Sequence, residues 1–197
     1  MPPAPLAQVL ARLDELNRAD PNHDTVNGIP QPRELVYAQR LTEWVLRLEP
    51  QASEALRIAA RGQHVRRWTI PRSQYPMTRQ GYLRWRETLK TFHAKTVAEL
   101  MRQAGYDDGM VQGVTRLITK KDLGTDRDVQ TLEDALCLLF LEAQFADLKR
   151  KTADETMREV LRKTWRKMSP RAHEEARRLA LGPQERAYLA EVLGDGR

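Results

Sequence analysis

Apolar residues recur at helical spacing in almost every segment between prolines and glycines of this chain. Leu6, Val9, Leu10, Leu13 and Leu16 trace one stripe, which Asp20-Pro21-Asn22 closes. A second helix is expected from near Pro32 to Leu48. A third is expected from Ser53 to about Trp68, ahead of Pro71. Residues 72–77 read as a loop between Pro71 and Pro76. A long fourth helix is predicted over Thr78–Gln103, stopped by Gly105, and a fifth over Asp107–Lys120 with Asp107 or Asp108 as cap. The sixth, Asp128–Lys149, contains Ala135-Leu136-Cys137-Leu138-Leu139-Phe140-Leu141, apolar all round and so expected at the centre of a bundle. Two or three more helices follow, separated near Ser169-Pro170 and Gly182-Pro183. Strand signals are nearly absent, with no Asn-Gly or Asp-Gly pair flanked by two alternating runs. The expected fold is all-α, a compact array of eight or nine helices. It forms one domain over residues 1–197, with an N-terminal helix in 1–22, a site-bearing core in 53–150 and C-terminal helices in 151–197.

Composition narrows the class without giving a function. At 197 residues, 41% hydrophobic and 30% charged, the chain has enough apolar surface to offset chain entropy, which excludes disorder over most of its length. No apolar run is long enough for a membrane span. The opening Met1-Pro2-Pro3-Ala4-Pro5 lacks the apolar run of a signal peptide, so a cytoplasmic location without membrane association is expected. The lone Cys137 excludes an internal disulfide and a Cys-based zinc site, and its apolar surroundings suggest an inert core thiol.

Charge changes the picture because it is local. Between Arg57 and Arg102 lie eleven Lys or Arg against only Glu87 and Glu99, while the whole chain carries +6. Such a field favours an anionic ligand: phosphate, nucleotide or nucleic acid. Trp68, Tyr75, Tyr82, Trp85 and Phe92 share the stretch and could stack on bases or pack inward.

Three groups carry candidate chemistry. Gln63-His64-Val65-Arg66-Arg67-Trp68 follows the apolar Ile58-Ala59-Ala60, so that a helix runs from core to polar cavity. Tyr82, Arg86 and His93 share a face of the fourth helix. Glu133-Asp134 places two carboxylates at the head of the most apolar helix, one turn after Gln130, where burial demands metal, cations or hydrogen bonds. Structural roles stay open for each: His64 as a helix C-terminal residue, His93 as a core histidine, Glu133 and Asp134 as partners of arginines.

At these positions the chain resembles an uncharacterised family of bacterial and fungal proteins known only as a domain of unknown function. The matching blocks are 58–68, Ile70-Pro71-Arg72, Gly81-Tyr82-Leu83-Arg84-Trp85-Arg86, Phe92-His93-Ala94, Val129-Gln130-Thr131-Leu132-Glu133-Asp134 and 164–169. Members are often labelled glutamyl-tRNA synthetase. That activity needs a nucleotide-binding parallel sheet that a short all-α chain lacks, and Lys167-Met168-Ser169 reads better as a helix cap at Ser169. A weaker resemblance is to the HD phosphohydrolase superfamily, helical enzymes that hold metals through His and Asp. Tyr37 stands at that superfamily's first histidine, His64 at the His of its His-Asp pair with Val65 in place of the Asp, and Asp134 at its closing aspartate.

These features lead to a metal-dependent phosphohydrolase acting on a nucleotide or other phosphorylated small molecule. His64, His93 and Asp134 would hold a divalent metal (Mn, Fe, Zn or Mg), Glu133 would act as general base, and Arg67, Arg72, Arg86 and Lys120 would hold the phosphate. Tyr37 and Gln130 are accessory candidates. Two alternatives stand beside it: a non-enzymatic RNA- or nucleotide-binding module on the basic stripe, and an HD-like di-iron oxygenase.

Overall fold

The computed structural model describes residues 4–194. Met1–Pro3, part of the segment examined for a leader, lie outside them. The described chain is mostly helical, with ten α-helices and one small hairpin, in two compact units, residues 1–122 and 123–197. The expected site-bearing stretch 53–150 spans both. No helix among the described residues is long and apolar enough to cross a membrane.

The first unit contains α1 (Pro5–Arg18), β1 (His23–Val26), β2 (Ile29–Pro32), α2 (Arg33–Leu48), α3 (Glu54–Gly62), α4 (Arg79–Gln103) and α5 (Asp108–Thr119). Its centre is α3, which packs on α1, α2, α4 and α5 and completely buries Leu56, Ile58, Ala59 and Ala60. Ser53, Thr78 and Asp107 cap α3, α4 and α5 by accepting from the N–H of Leu56, Gly81 and Met110. Asp14 of α1 receives Arg61 Nη1 at 3.0 Å, tying the unit's first helix to its central one.

Two elements differ from the sequence reading. The strands pair antiparallel, Val26 opposite Ile29, around Asn27-Gly28, both with positive φ (51° and 79°). Those angles are what a two-residue hairpin turn of the right twist requires. Each strand has only four residues and is largely exposed, so no alternating apolar pattern announces it. The third helix stops at Gly62, not Trp68. Arg66 takes the left-handed region (φ 52°), its N–H donates to Asn17 Oδ1 at 3.1 Å, and only a short 3₁₀ turn, Arg67–Thr69, follows.

Gly81 opens the first turn of α4 against the preceding loop. A Cβ there would sit 2.1 Å from the Pro76 carbonyl oxygen. The loop cannot give way easily, because the Arg72 guanidinium donates to the carbonyls of Tyr75, Pro76 and Thr78 (2.8, 2.7 and 3.3 Å). Gly81→Ala is therefore expected to cost about 2 kcal/mol in urea denaturation, as overpacking against fixed backbone does. An unchanged midpoint would show that the loop yields freely.

The second unit contains α6 (Arg127–Ala143), α7 (Phe145–Lys151), α8 (Asp154–Lys167), α9 (Pro170–Arg178) and α10 (Pro183–Gly194). As expected, α6 is its core helix: Ala135, Leu138, Leu139 and Leu141 are at most 2% exposed, and Cys137 is buried among them. The expected sixth helix is divided at Gln144. The break turns Phe145 fully into the core, where it faces Tyr188 of α10 at 6.3 Å between ring centroids. That division and the three tail helices raise the count from the expected eight or nine to ten.

Candidate functional site

The polar centre of the first unit forms where α2, the end of α3 and the middle of α4 meet. Glu34 lies in the first turn of α2 with its side chain only 10% exposed, and its backbone N–H donates to Asp20 Oδ2 at 3.0 Å. Its Oε2 is 3.3 Å from His64 Nδ1, and its Oε1 is 3.9 Å from Arg67 Nε. Tyr37, one turn along α2, stacks on His64 with centroids 4.1 Å apart and planes 9° apart. His93 reaches in from α4, its ring 6.0 Å from that of His64.

Each ring is held by an identifiable contact. His93 Nδ1 donates to the Val65 carbonyl at 2.9 Å, so its lone pair is on Nε2, which is buried and makes no hydrogen bond. The same turn that ends α3 delivers that carbonyl. Arg67 lies over the face of Trp85 at 4.6 Å, and Trp85 is fixed by donating from Nε1 to the Ile70 carbonyl at 2.8 Å. Arg86 lies beside Tyr82, 3.3 Å from its hydroxyl.

Burial and charge set the protonation states. Burial lowers the His64 pKa well below its ordinary value, and the cations Arg67, Lys120 and Arg86 lower it further. Burial, followed by neighbouring His64, lowers His93 to about 3. Both imidazoles are therefore neutral near pH 7. Glu34 moves the other way, to about 7, because burial outweighs the attraction of Arg67, and Asp20 adds repulsion.

A raised carboxyl pKa means that the folded chain holds a proton that the unfolded chain releases above its ordinary value of 4.5. The stability this group contributes is present below that value and is lost as pH rises through about 7. The stability of wild type relative to Glu34→Gln should accordingly fall between these limits, by up to about 3 kcal/mol. Urea denaturation of both proteins across the pH range measures it. A difference constant with pH would remove the buried-carboxyl assignment.

The sequence-derived candidates fall on both units. The first holds Tyr37, His64, His93, Arg67, Arg72, Arg86 and Lys120, and brings His64 together with Tyr37, His93 and Arg67. Arg72, expected to hold phosphate, is a loop clamp whose guanidinium donates to the backbone carbonyls of Tyr75 and Pro76. Lys120 ends α5 in the left-handed region, φ 55°. The second unit holds Gln130, Glu133 and Asp134. There Asp134 accepts from Gln130 Nε2 at 2.9 Å, Ser169 N at 2.8 Å and Ser169 Oγ at 2.5 Å. Ser169 caps α9, as the sequence suggested. Glu133 Oε1 is 3.3 Å from Lys167 Nζ.

Among the described residues, no group of three or more His, Cys, Asp or Glu is arranged to hold a metal ion. Side by side with the HD pattern, Tyr37 is stacked flat on His64, Val65 is an apolar core residue, and both Asp134 oxygens accept hydrogen bonds. His93 Nε2 has the lone pair of a ligand, but these residues together do not fit that metal.

Glu34 was missed in the sequence. The signal was present: the buried stripe Leu41, Trp44 and Leu48 of α2 continues backward through Tyr37 onto Glu34, setting a carboxylate on an inward face.

The profile of a family described as a domain of unknown function (DUF4202) matches residues 7–189. No curated protein and no solved structure matches the chain.

Proposed function

The chain belongs to the DUF4202 family, and we propose that it is a hydrolase of a nucleotide or other phosphorylated small molecule, with its site at Glu34, His64 and Arg67. The observation that carries this reading is the field at His64. A neutral imidazole, 22% exposed, is set beside a carboxyl near 7 and feels three cations, Arg67, Lys120 and Arg86. Cations gathered around an uncharged base are suited to a bound anion, whose charge would offset theirs and raise the basicity of His64.

In this reading Arg67 and Arg86 hold the phosphoryl oxygens, and Lys120 adds positive potential. Ionised Glu34 orients His64 through Nδ1, leaving Nε2 to take a proton from the attacking water. His64 is thus the base, a part the sequence reading gave to Glu133, and Glu34 supports it. A cytoplasmic setting and an HD-like ancestry belong to the same reading and rest on the sequence features above.

The RNA-binding alternative has less support, because much of the basic stripe is engaged within the chain. Arg61 pairs with Asp14, Lys90 with Glu87, Arg102 with Asp108, and Arg72 clamps its loop.

A panel of nucleoside mono-, di- and triphosphates and sugar phosphates tests the proposal, scored for phosphate release and calorimetric binding, with and without added Mn, Fe, Zn and Mg ions. At least one phosphorylated compound should bind and be turned over, and Arg67→Ala/Arg86→Ala should weaken that binding about 100-fold or more. Steep salt-dependent RNA binding with no turnover of any compound would overturn it.

A further inference from the structure

The second unit contains a separate cavity of about 400 Å³, unconnected with the chemistry proposed above. Leu181, Leu189 and Leu193 contribute its apolar wall, and Trp165, Arg177 and Arg186 are among the other lining residues. The elements responsible are the end of α8, the end of α9, the short link that follows and one face of α10.

The two arginines make this cavity unusual. Arg177 lies beside the Trp165 ring, 5.8 Å from its centroid, and His173, one turn earlier on α9, stacks on that ring at 3.9 Å. Arg186 donates one hydrogen bond, to the Leu179 carbonyl at 3.1 Å. Neither guanidinium has a carboxylate within ion-pair distance among the described residues. Elsewhere in the same unit Arg150 and Arg178 each pair with one carboxylate, and Arg158 pairs with two. A guanidinium carries several donors in a fixed fork that matches a carboxylate. Two such forks bordering a leucine-lined hollow form an amphiphilic surface, cationic at the rim and apolar inside. The volume falls within the range of small-molecule pockets.

We propose that this cavity binds a medium-chain aliphatic carboxylate, the carboxylate held by Arg177 and Arg186 and the chain laid along Leu181, Leu189 and Leu193. The stacked Trp165–His173 pair fixes one wall, so the pocket is preorganised on that side and open at the arginines. An aliphatic tail suits it better than a planar ring, because one aromatic face is already covered by His173. Neither a short acid, with no tail to bury, nor a cationic amphiphile, repelled at the rim, matches both features.

The test is calorimetric titration of the full chain with decanoate below its micellar concentration, beside butyrate and decyltrimethylammonium. Decanoate should bind at one site, with the other two at least about tenfold weaker. Arg177→Ala/Arg186→Ala should weaken decanoate about tenfold or more while far-UV circular dichroism stays unchanged. Ala190 also lines the cavity and is exposed, so Ala190→Trp should fill the space and abolish binding with both arginines intact. That second variant keeps the test decisive if the double variant folds poorly. Equal binding of the anionic and cationic amphiphiles would overturn the proposal. So would binding that neither variant alters, or no binding of decanoate at all.

Discussion

Replacing Asp134 with alanine is expected to destabilise the second unit by about 3 kcal/mol, as breaking a buried charged network does. Asp134 is 4% exposed, and both of its oxygens accept hydrogen bonds from donors on two elements: Gln130 Nε2, and Ser169 through both its N–H and its hydroxyl. Ser169 uses the same hydroxyl oxygen to accept from the Ala172 N–H, so one hydroxyl links the α6 carboxylate to the first turn of α9. Alanine leaves those donors in a part-buried place without their acceptor, which costs more than the net value of the bonds themselves. Ser169→Ala should cost less, about 1–2 kcal/mol, and the double variant should fall well short of the sum because the two residues share one network. Urea denaturation of the four proteins measures the cycle. Were Asp134 instead a metal ligand of the HD type, its replacement would abolish metal uptake and activity with little loss of stability. Additive losses in the cycle would likewise remove the network account.

His64→Ala is expected to lower turnover of a phosphorylated substrate by about 100-fold or more, the usual worth of a positioned general base. The fall should appear in kcat, with KM little changed, because the arginines that hold the phosphate remain. Glu34→Gln separates the two roles. Wild-type kcat/KM should rise with pH through about 7, as the buried carboxyl ionises and can orient the imidazole. Glutamine keeps the shape and removes the ionisation, so the rising limb should flatten while phosphate binding survives. Retention of that limb in the glutamine variant, or a His64→Ala enzyme of normal kcat, would exclude the pair from the reaction. Both variants need a circular dichroism check, since His64 is closely packed against Tyr37.

What could be read in advance followed a physical rule. The helices α2, α4, α5 and α6 were legible because their apolar stripes, caps and stops are local. Ser53, Asp107 and Ser169 accept N–H groups within their own first turns, and the run 135–141 of α6 contains no polar side chain to give it a solvated face. The hairpin at 23–32 was not legible, because four-residue strands at the surface have no buried face to produce alternation. The early end of α3 was hidden because what stops it is long-range, the Asn17 side chain meeting the Arg66 N–H across 49 residues. The split at Gln144 depends on a core place for Phe145, which is defined by other helices.

The same distinction governs the site. His64, His93, Arg67 and Arg86 could be singled out because an uncommon residue at the end of an apolar run is visible in one dimension. Their chemistry could not be. Asp134 and Arg72 carry the residue types of a metal ligand and a phosphate clamp, and only folding commits them to Ser169 and to three loop carbonyls. Glu34 was passed over, and its raised pKa follows from burial that only the folded chain supplies. The sequence by itself determined the helical class, most caps and the polar positions on apolar faces, since these depend on periodicity and near-neighbour hydrogen bonds. The tertiary structure decided which polar groups are satisfied, which are neutral and which meet, because desolvation and charge coupling depend on distances through space.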